Sequence, residues 1–577
     1  MAEYYVFTDG VRVGPYSGTQ LEKMVSNQMI PEDTVVQISG GPQDGKCVDI
    51  RQIITETASD TAQNLTAQLL SKENGILRLA CPICGQHYKV TAETASPEYS
   101  CIKCSAKFLL PRRKEAPKEQ TEFEADIPAG DLLCPHCWKS FDRDYVLYIS
   151  VHPSLFGDPV LGEYEPKRFV PTVFNQAGQP LDQCGLPATE MACPRCHLPI
   201  PAGLLDTPSL YFSIAGATSS GKSYFLTCQT HRLRKTLPEY FGAAFFDADP
   251  RLNETLNIYE KQLFMPLDPG AVTALPATQI SGSGITDRVR LDNVEIELPK
   301  PFVFEYRNKD NSDDLNMVFY DNSGEMFIPG RDEWVNQATH HLPHSDGIVF
   351  LFDPANDASM RLELCDKRDP QVSRNPRVAD QSILFNEMVS RIRRHANMIS
   401  QESCKIPLVI AVGKYDIWKD HFPEDLSKLP VMEQDGENGL DMNKVLSVSF
   451  ALRELMLRYV PGLVNAAESF FEDVYFVPFS NFGTPAEQNE DGVIGVVPNK
   501  INPVWVEVPL FLLLAKNQQI PEFRSEQEAG ELGMVSRGSI AFRHPDSGKS
   551  VRLPASYAGS TLQINGKYYR LPENDDK

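Results

Sequence analysis

The stretch Gly216-Ala217-Thr218-Ser219-Ser220-Gly221-Lys222-Ser223 constrains this chain more than any other, because of what flanks it. Residues 210–214 before it form an apolar run of strand length, and Tyr224-Phe225-Leu226 after it opens a segment of helical character. A strand that turns through glycines into a helix gathers backbone N–H groups and the positive end of the helix around one point, which suits phosphate oxygens. Gly216 and Gly221 free the turn, and Thr218, Ser219 and Ser220 contribute amides. Lys222 is then placed to reach the outer phosphates and Ser223 to ligate Mg²⁺. A near-copy, Asp546-Ser547-Gly548-Lys549-Ser550, lacks this setting: Arg543 holds the position of the first glycine and no helix follows, so it reads as a turn.

At 577 residues the chain exceeds one core and predicts several domains. A net charge of −22 argues against a broad nucleic-acid or anionic-membrane surface. The greasiest stretch, residues 509–515, falls far short of the ~20 apolar residues that span a bilayer. Met1-Ala2-Glu3-Tyr4-Tyr5 has neither the basic start nor the apolar core of a secretory signal, so a cytoplasmic location is expected.

Of 13 cysteines, eight fall in CxxC pairs, which in a reducing compartment point to metal before disulfide. Cys81, Cys84, Cys101 and Cys104 have the spacing of a zinc ribbon over residues 77–112, with 88–90 and 98–100 as its hairpin strands. Cys134, Cys137, Cys193 and Cys196 predict a second, elaborated ribbon over 130–205, in which 145–180 is an insertion. His152 and Cys184 inside that insertion are substitute ligands. Two structural Zn²⁺ on closed four-cysteine sites are expected, supporting folding and not chemistry. Cys47, Cys228, Cys365 and Cys404 carry no metal spacing and are expected as buried thiols. Lys103, Lys107, Arg112, Arg113 and Lys114 cluster beside the first ribbon and keep a nucleic-acid-binding reading open, though it is not favoured.

Residues 1–55 alternate strand, turn, short helix (21–26) and strand. With Gly14-Pro15-Tyr16 before the helix, this order resembles the GYF-like domains, which implies a small α+β module and docking of proline-rich protein partners. The Gly-Tyr-Phe triplet that names the group is missing here. Residues 56–76 read as a polar linker or connecting helix, and 112–127 as a second linker.

From 208 to 517 apolar strands alternate with helices, the pattern of a parallel α/β sheet. Strands are predicted at 302–306, 316–320, 347–352, 407–412 and 474–478. Leu384, Met388 and Ile392 mark one helix and residues 450–456 another. Ligands in such sheets bind beyond the carboxyl ends of the strands. Three polar groups end strands here: Asp321-Asn322-Ser323-Gly324-Glu325, Gly413-Lys414-Tyr415-Asp416 and Ser480-Asn481-Phe482.

In that order these motifs resemble a P-loop GTPase of the translation-factor-related (TRAFAC) class. The Asp321–Glu325 form and the run at 346–354 are similar to the bacterial double-GTPase family. The resemblance implies GTP/GDP and Mg²⁺ as cofactors. Ser223, Asp321 and a switch threonine would hold Mg²⁺, with Thr278 the first choice and Thr273 the second, and Gly324 N–H would sense the γ-phosphate. Asp416 would accept from the guanine edge, the Lys414 stem would pack on the base, and Ser480 would stand beside the guanine carbonyl. Glu325 occupies the position of a water-orienting Gln or His, and reads equally as a catalytic group or a solvated carboxylate. Gly413 replaces the Asn or Thr that braces the phosphate loop in the family.

No arginine finger is visible. Arg331, Arg391, Arg393 and Arg394 read as solvated helix-surface residues, so hydrolysis is expected to be slow, since such a finger is worth ~10³–10⁵ in rate. The expected protein is a regulatory GTPase that switches docking of protein partners, and the family resemblance adds a conflict- or defence-like bacterial setting. A nucleotide-binding scaffold without turnover stays open as the alternative. Residues 417–444 are expected as a mobile insertion near the base and 518–530 as a linker. A small β element over 531–572 is expected to close the chain, with Asn565-Gly566 as its hairpin turn.

Overall fold

Strand β1, Ser209–Gly216, enters its sheet half-buried and is sealed from Tyr211 onward, as its apolar run requires. The computed structural model that contains it describes residues 3–8, 11–16, 21, 25, 35–39, 47–49, 68–73, 76–80, 87–91, 98–100, 103, 107–109, 130, 132–276, 286–291, 294–308, 314–322, 324–327, 339–373, 380–399, 402–525, 529–536 and 539–573. The chain divides into two compact units, Met1–Thr121 and Glu122–Lys577.

The first unit carries a four-stranded antiparallel sheet in the order Val11–Tyr16, Glu3–Thr8, Val35–Ser39, Cys47–Asp49, with Val6, Leu21 and Val36 buried. Two elements differ from the sequence reading. Residues 68–73 are a strand and not linker, paired antiparallel with Ile76–Ala80. Asn74-Gly75 stands between them in sequence, the dipeptide that two-residue hairpin turns favour. The expected hairpin of 88–90 with 98–100 is not formed among the described residues: His87–Thr91 pairs with Ile76–Ala80, and Glu98–Ser100 pairs with Lys107–Leu109. Cys81, Cys84, Cys101 and Cys104 lie outside the described residues.

The second unit is built on a seven-stranded sheet. After β1 come β2 (Ala244–Asp247), a hairpin of β3 (Thr286–Leu291) and β4 (Val294–Pro299), then β5 (Phe302–Arg307) and β6 (Leu315–Asp321). β7 (Gly347–Phe352), β8 (Leu408–Val412) and β9 (Val474–Pro478) complete it. The sheet order is β2-β5-β6-β1-β7-β8-β9, with β3 and β4 forming a separate two-stranded sheet. β6, β1, β7, β8 and β9 run parallel, and β5 is antiparallel to both β6 and β2. β6 to β9 are buried along their whole length, as strands covered on both faces must be.

Helices α1 (Lys222–Thr236), α2 (Glu254–Phe264), α3 (Gln381–His395), α4 (Met442–Tyr459), α5 (Pro461–Phe470) and α6 (Val508–Lys516) share one apolar core with the sheet. The chain leaves β1 toward β6 on one side and returns on the other as β7, so the crevice beyond the carboxyl end of β1 is the switch point where such sheets bind ligands.

Residues 417–444 are not a loose insertion. Val431–Gln434 and Glu437–Asp441 form a hairpin through Asp435 (φ 54°) and Gly436 (φ 85°), and that hairpin pairs with Glu522–Phe523 inside the segment read as linker. Trp418 is sealed within this segment, its Nε1 donating to Gly413 O at 2.9 Å. The C-terminal β element lies against α4 within the same unit: Gln563 N donates to Ser447 Oγ, and the fully buried Tyr557 hydroxyl bonds Ser449. Its Asn565-Gly566 pair forms the turn between Thr561–Ile564 and Lys567–Arg570. Cys228, Cys365 and Cys404 are buried.

Candidate functional site

Two groups of side chains stand at the carboxyl ends of the parallel strands. The first surrounds the glycine-rich loop. Gly216 has φ +149°, and a Cβ there would lie 2.6 Å from Leu351 O on β7, so the loop leaves the sheet where only glycine fits. Ser219 (φ 64°) and Gly221 (φ 87°) complete the turn into α1, whose first residue is Lys222. Lys222 Nζ donates to Gly216 O at 3.0 Å and Ala217 O at 2.7 Å, folding over its own loop. Burial lowers its pKa to about 8, against the opposing pull of Asp321. Ser223 Oγ donates to Asp321 Oδ2 at 2.9 Å, and burial raises the Asp321 carboxyl above its ordinary range. A hydroxyl and a carboxylate converging beside a lysine are hard oxygen donors of the kind Mg²⁺ prefers. Gly324 sits directly on this loop: a Cβ on it would lie 2.3 Å from Thr218 N.

The second group serves the ends of β7, β8 and β9. Lys414, in left-handed conformation at φ 55°, is held by Asp353 Oδ2 at 2.7 Å. Asp353 has no exposed surface, and its other oxygen accepts from Ala355 N at 2.9 Å. Its backbone is clamped by Gln381, which accepts from Asp353 N and donates to Asp353 O, both at 2.9 Å. Asp416 accepts from Ser480 Oγ, and burial raises its pKa to about 6. A Cβ on Gly413 would lie 3.1 Å from Phe479 Cζ, an approach that the ring would have to relieve by shifting a few tenths of an ångström. Phe479 packs edge-on against Phe225 of α1 at 4.9 Å and Phe482 against Tyr224 at 5.2 Å, which joins the two groups.

A third constellation precedes the sheet. Cys134, Cys137, Cys193 and Cys196 are all buried, with their sulfurs within 4.8 Å of one another. Cys134 and Cys196 stand 3.7 Å apart, and Cys137 and Cys193 3.8 Å apart. A tetrahedron with ~2.3 Å metal–sulfur bonds has edges of about 3.8 Å, so the donor set fits Zn²⁺. The two CxxC turns are built alike. Trp138 N and His197 N bond back to Cys134 O and Cys193 O, and both residues take positive φ, 56° and 59°. His136 N and Arg195 N each point at the first sulfur of their turn, at 3.4 Å. His152 and Cys184 are not part of the cluster: His152 bonds Ser154, and the exposed Cys184 lies 3.8 Å from Ser154 Oγ.

Of the residues singled out from sequence, Gly216, Gly221, Lys222, Ser223, Asp321 and Gly324 come together, with Thr218, Ser219 and Ser220 in the same loop. Lys414, Asp416 and Ser480 come together beside them. Thr278 lies outside the described residues, as do Arg331 and the side chain of Glu325. Thr273 is bonded through its backbone to Val496, its N–H donating at 2.8 Å. Arg391 is not a solvated surface residue: it is fully buried, paired with Glu387 at 2.9 Å, and its guanidinium lies 5.8 Å from the Phe327 ring. The sequence reading passed over Asp353 as a partner of Lys414. Its signal was an acid immediately ending a strand, the same signal that picked out Asp321.

A sheet with a glycine-rich phosphate loop at the carboxyl end of its central parallel strand has the arrangement of a P-loop core. No known protein family matches the chain, and no curated protein does. Among solved structures it is similar to the translation elongation factor SelB from Methanococcus maripaludis in complex with the GTP analogue GppNHp. The likeness has 7% identity and a TM-score of 0.19 over 62% of this chain and 43% of the other. It is also similar to a mutation variant of SsGBP, at 13% identity and a TM-score of 0.16 over 48% and 51% of the two chains. The chain thus spans less than half of the elongation factor, and scores this low leave the functional reading to the residues themselves. Among the described residues, no helix is long and apolar enough to cross a membrane.

Proposed function

We propose that this chain is a regulatory GTPase: it binds guanine nucleotide with Mg²⁺ and hydrolyses GTP slowly. The observation that carries the reading is spatial. Groups suited to phosphate and Mg²⁺ (Lys222, Ser223, Asp321) and groups suited to a purine base (Lys414, Asp416) come from segments far apart in sequence. They meet at the carboxyl ends of neighbouring strands. Amides of residues 218–223 cradle the phosphates, and Lys222 exchanges its two carbonyl partners for phosphate oxygens. Ser223, Asp321 and Thr278 would hold Mg²⁺, which would supply neutralisation of charge on the outer phosphates. Asp416, kept in place by Ser480, accepts from the guanine edge, and Lys414, fixed by Asp353, covers the base. Gly324 N–H reports the γ-phosphate, and Glu325 stands next in line to orient water. Loss of the γ-phosphate would free the segment that senses it at Gly324 and so change partner docking.

Docking falls to the N-terminal GYF-like module and to the Zn²⁺-bearing cysteine turns, both sets of four included. The setting is the cytoplasm and protein partners, in a conflict- or defence-like system as the family resemblance suggests. Calorimetry with GTP, GDP and ATP, followed by single-turnover hydrolysis, tests the reading. The expected result is a guanine preference with slow phosphate release. Equal affinity for ATP would overturn the base assignment. Tight GTP binding without phosphate release under any condition would leave a nucleotide-gated scaffold in place of an enzyme.

A further inference from the structure

Trp138, the residue after the first cysteine pair, leaves its turn at φ 56° and is buried among rings of the nucleotide sheet. Tyr211 of β1 lies 4.8 Å away, Tyr320 of β6 5.5 Å away, and His344 is stacked on the indole at 5.6 Å. The Tyr320 hydroxyl donates to Pro135 O, inside the Cys134–Cys137 turn itself. The Tyr320 ring stacks on His341 at 4.3 Å with 11° between planes.

His341 is fully buried and reaches two places at once. Asn322 Nδ2 donates to Ile214 O at 3.1 Å, which turns Asn322 Oδ1 toward His341 Nε2 at 2.9 Å. The ring therefore donates from Nε2 and accepts at Nδ1 from Ser213 Oγ, 2.6 Å away on β1. Asn322 is the residue after Asp321 and two before Gly324. Direct contacts thus run from the cysteine turn through Tyr320 and His341 into the loop assigned to Mg²⁺ and the γ-phosphate.

The same cysteine element grips a second segment. Val289 of β3 and Leu298 of β4 share the buried cluster that encloses all four cysteines, and Arg290 N donates to Val160 O at 2.8 Å. This hairpin follows directly, in sequence, on the stretch that contains Thr278.

We infer that the Cys134–Cys137–Cys193–Cys196 element positions the 321–324 loop, so that metal on the cysteines and nucleotide on the phosphate loop are thermodynamically coupled. Tyr320 and His341 are the positioning residues. The inference rests on the nucleotide site proposed above. Its physical basis is that Asn322 cannot shift without parting its buried hydrogen bonds to His341 and to Ile214 O, and the ring stacked on His341 is pinned to the cysteine turn. Coupling of this kind is reciprocal: the factor by which nucleotide tightens metal equals the factor by which metal tightens nucleotide.

The test uses the full-length, zinc-loaded protein. Alkylation of Cys134, Cys137, Cys193 and Cys196 under a chelator is followed residue by residue by mass spectrometry. It is run without nucleotide, with GDP and with a non-hydrolysable GTP analogue, while calorimetry records nucleotide binding in parallel. The expected result is about tenfold slower alkylation with the GTP analogue, within the usual range of such couplings. In Tyr320→Phe, which keeps the ring and loses only the hydroxyl, the four thiols should stay protected and nucleotide should still bind. The ratio should nevertheless fall toward one, and His341→Ala should abolish it. Identical alkylation rates in a wild-type protein that calorimetry shows to bind nucleotide would overturn the coupling while leaving the GTPase reading intact. Absence of nucleotide binding would sink both, and calorimetry reports that outcome separately. Immediate alkylation of all four thiols in the zinc-loaded protein would remove the metal and the inference with it. Should either variant fail to fold, the wild-type comparison alone decides.

Discussion

The base end and the phosphate end of the same crevice are held together in opposite ways. At the base end each group suited to recognition has a dedicated holder: Asp353 for Lys414, Ser480 for Asp416, and Phe479 against Gly413. None of those holders needs to move when a base arrives. At the phosphate end the groups hold one another or their own loop, with Lys222 on Gly216 O and Ala217 O, and Ser223 on Asp321. In the function proposed, phosphate and Mg²⁺ would compete directly for those bonds. On the proposed reading, the base end would therefore be pre-organised and the phosphate end would be the part that changes with the state of the nucleotide.

The contrast breaks most readily at Lys222. Lys222→Met removes the buried cation of the loop, and losing charge-assisted hydrogen bonds of this type costs about 2–5 kcal/mol. Nucleotide binding by calorimetry should weaken at least about thirtyfold, for GTP and ATP alike. A variant that still binds GTP as the wild type does would mean that the phosphate end is not where affinity resides. Asp416→Asn should act at the other end and differently. Hydrogen bonds to a charged acceptor contribute about 1.5–3 kcal/mol, so GTP affinity should fall by ten- to a hundredfold while ATP affinity holds. Asp353→Asn should reproduce a weaker form of the same loss. Equal losses for both nucleotides would show that the two ends are not separable.

How much of this was open to the sequence depends on the kind of signal. The loop at 216–223 and the strand-ending acids were legible, because phosphate binding needs glycine and lysine at fixed spacing and strand ends are readable from apolar runs. Asn565-Gly566 was legible as a turn, yet the same chemistry at Asp435-Gly436 went unread, because its polar, acid-rich surroundings suggested a mobile insertion. Arg391 and Trp138 were illegible for another reason. An arginine on a polar helix looks solvated, and its burial against Phe327 comes from an element far away in sequence. Trp138 lies within the span read as a ribbon, and nothing local reveals that its partners are Tyr211 and Tyr320. Residues Glu122–Lys577 form one compact unit, and packing of that order has no periodicity to read.

A gentler test asks whether Gly413 is a defect or a fit. By family resemblance Asn or Thr belongs there, but a Cβ would press against Phe479 at 3.1 Å. Gly413→Asn should therefore overpack the base end and cost about 1–3 kcal/mol of stability, visible as a lower Tm, with no gain in guanine selectivity. Phe479→Leu in the same chain should recover part of the loss. Improved GTP affinity in the single variant would show that the brace had been missing and that the phenylalanine contact is no substitute.

The smallest expected effect is the pH profile, and it separates the two ends by sign. Asp416 must be ionised to accept from guanine, and burial has raised its pKa to about 6, so GTP affinity should decline as the pH falls through that value. Lys222 must be protonated to attract phosphate, and burial has lowered its pKa to about 8, so affinity should decline again as the pH rises beyond it. Binding should peak between, with each limb losing no more than about tenfold per pH unit. Stability of the nucleotide-free protein should run the other way. Below about pH 6 the folded chain holds a proton on Asp416 that the unfolded chain has released, so this group favours folding more as the pH falls toward its ordinary value. Above about pH 8 the folded chain has released the Lys222 proton that the unfolded chain retains, so stability gains with pH. The two limbs are also separable by mutation, since Asp416→Asn should flatten only the acidic one. An acidic limb that survives in Asp416→Asn would move the titration to another carboxylate, with Asp369, also raised by burial, the first to examine.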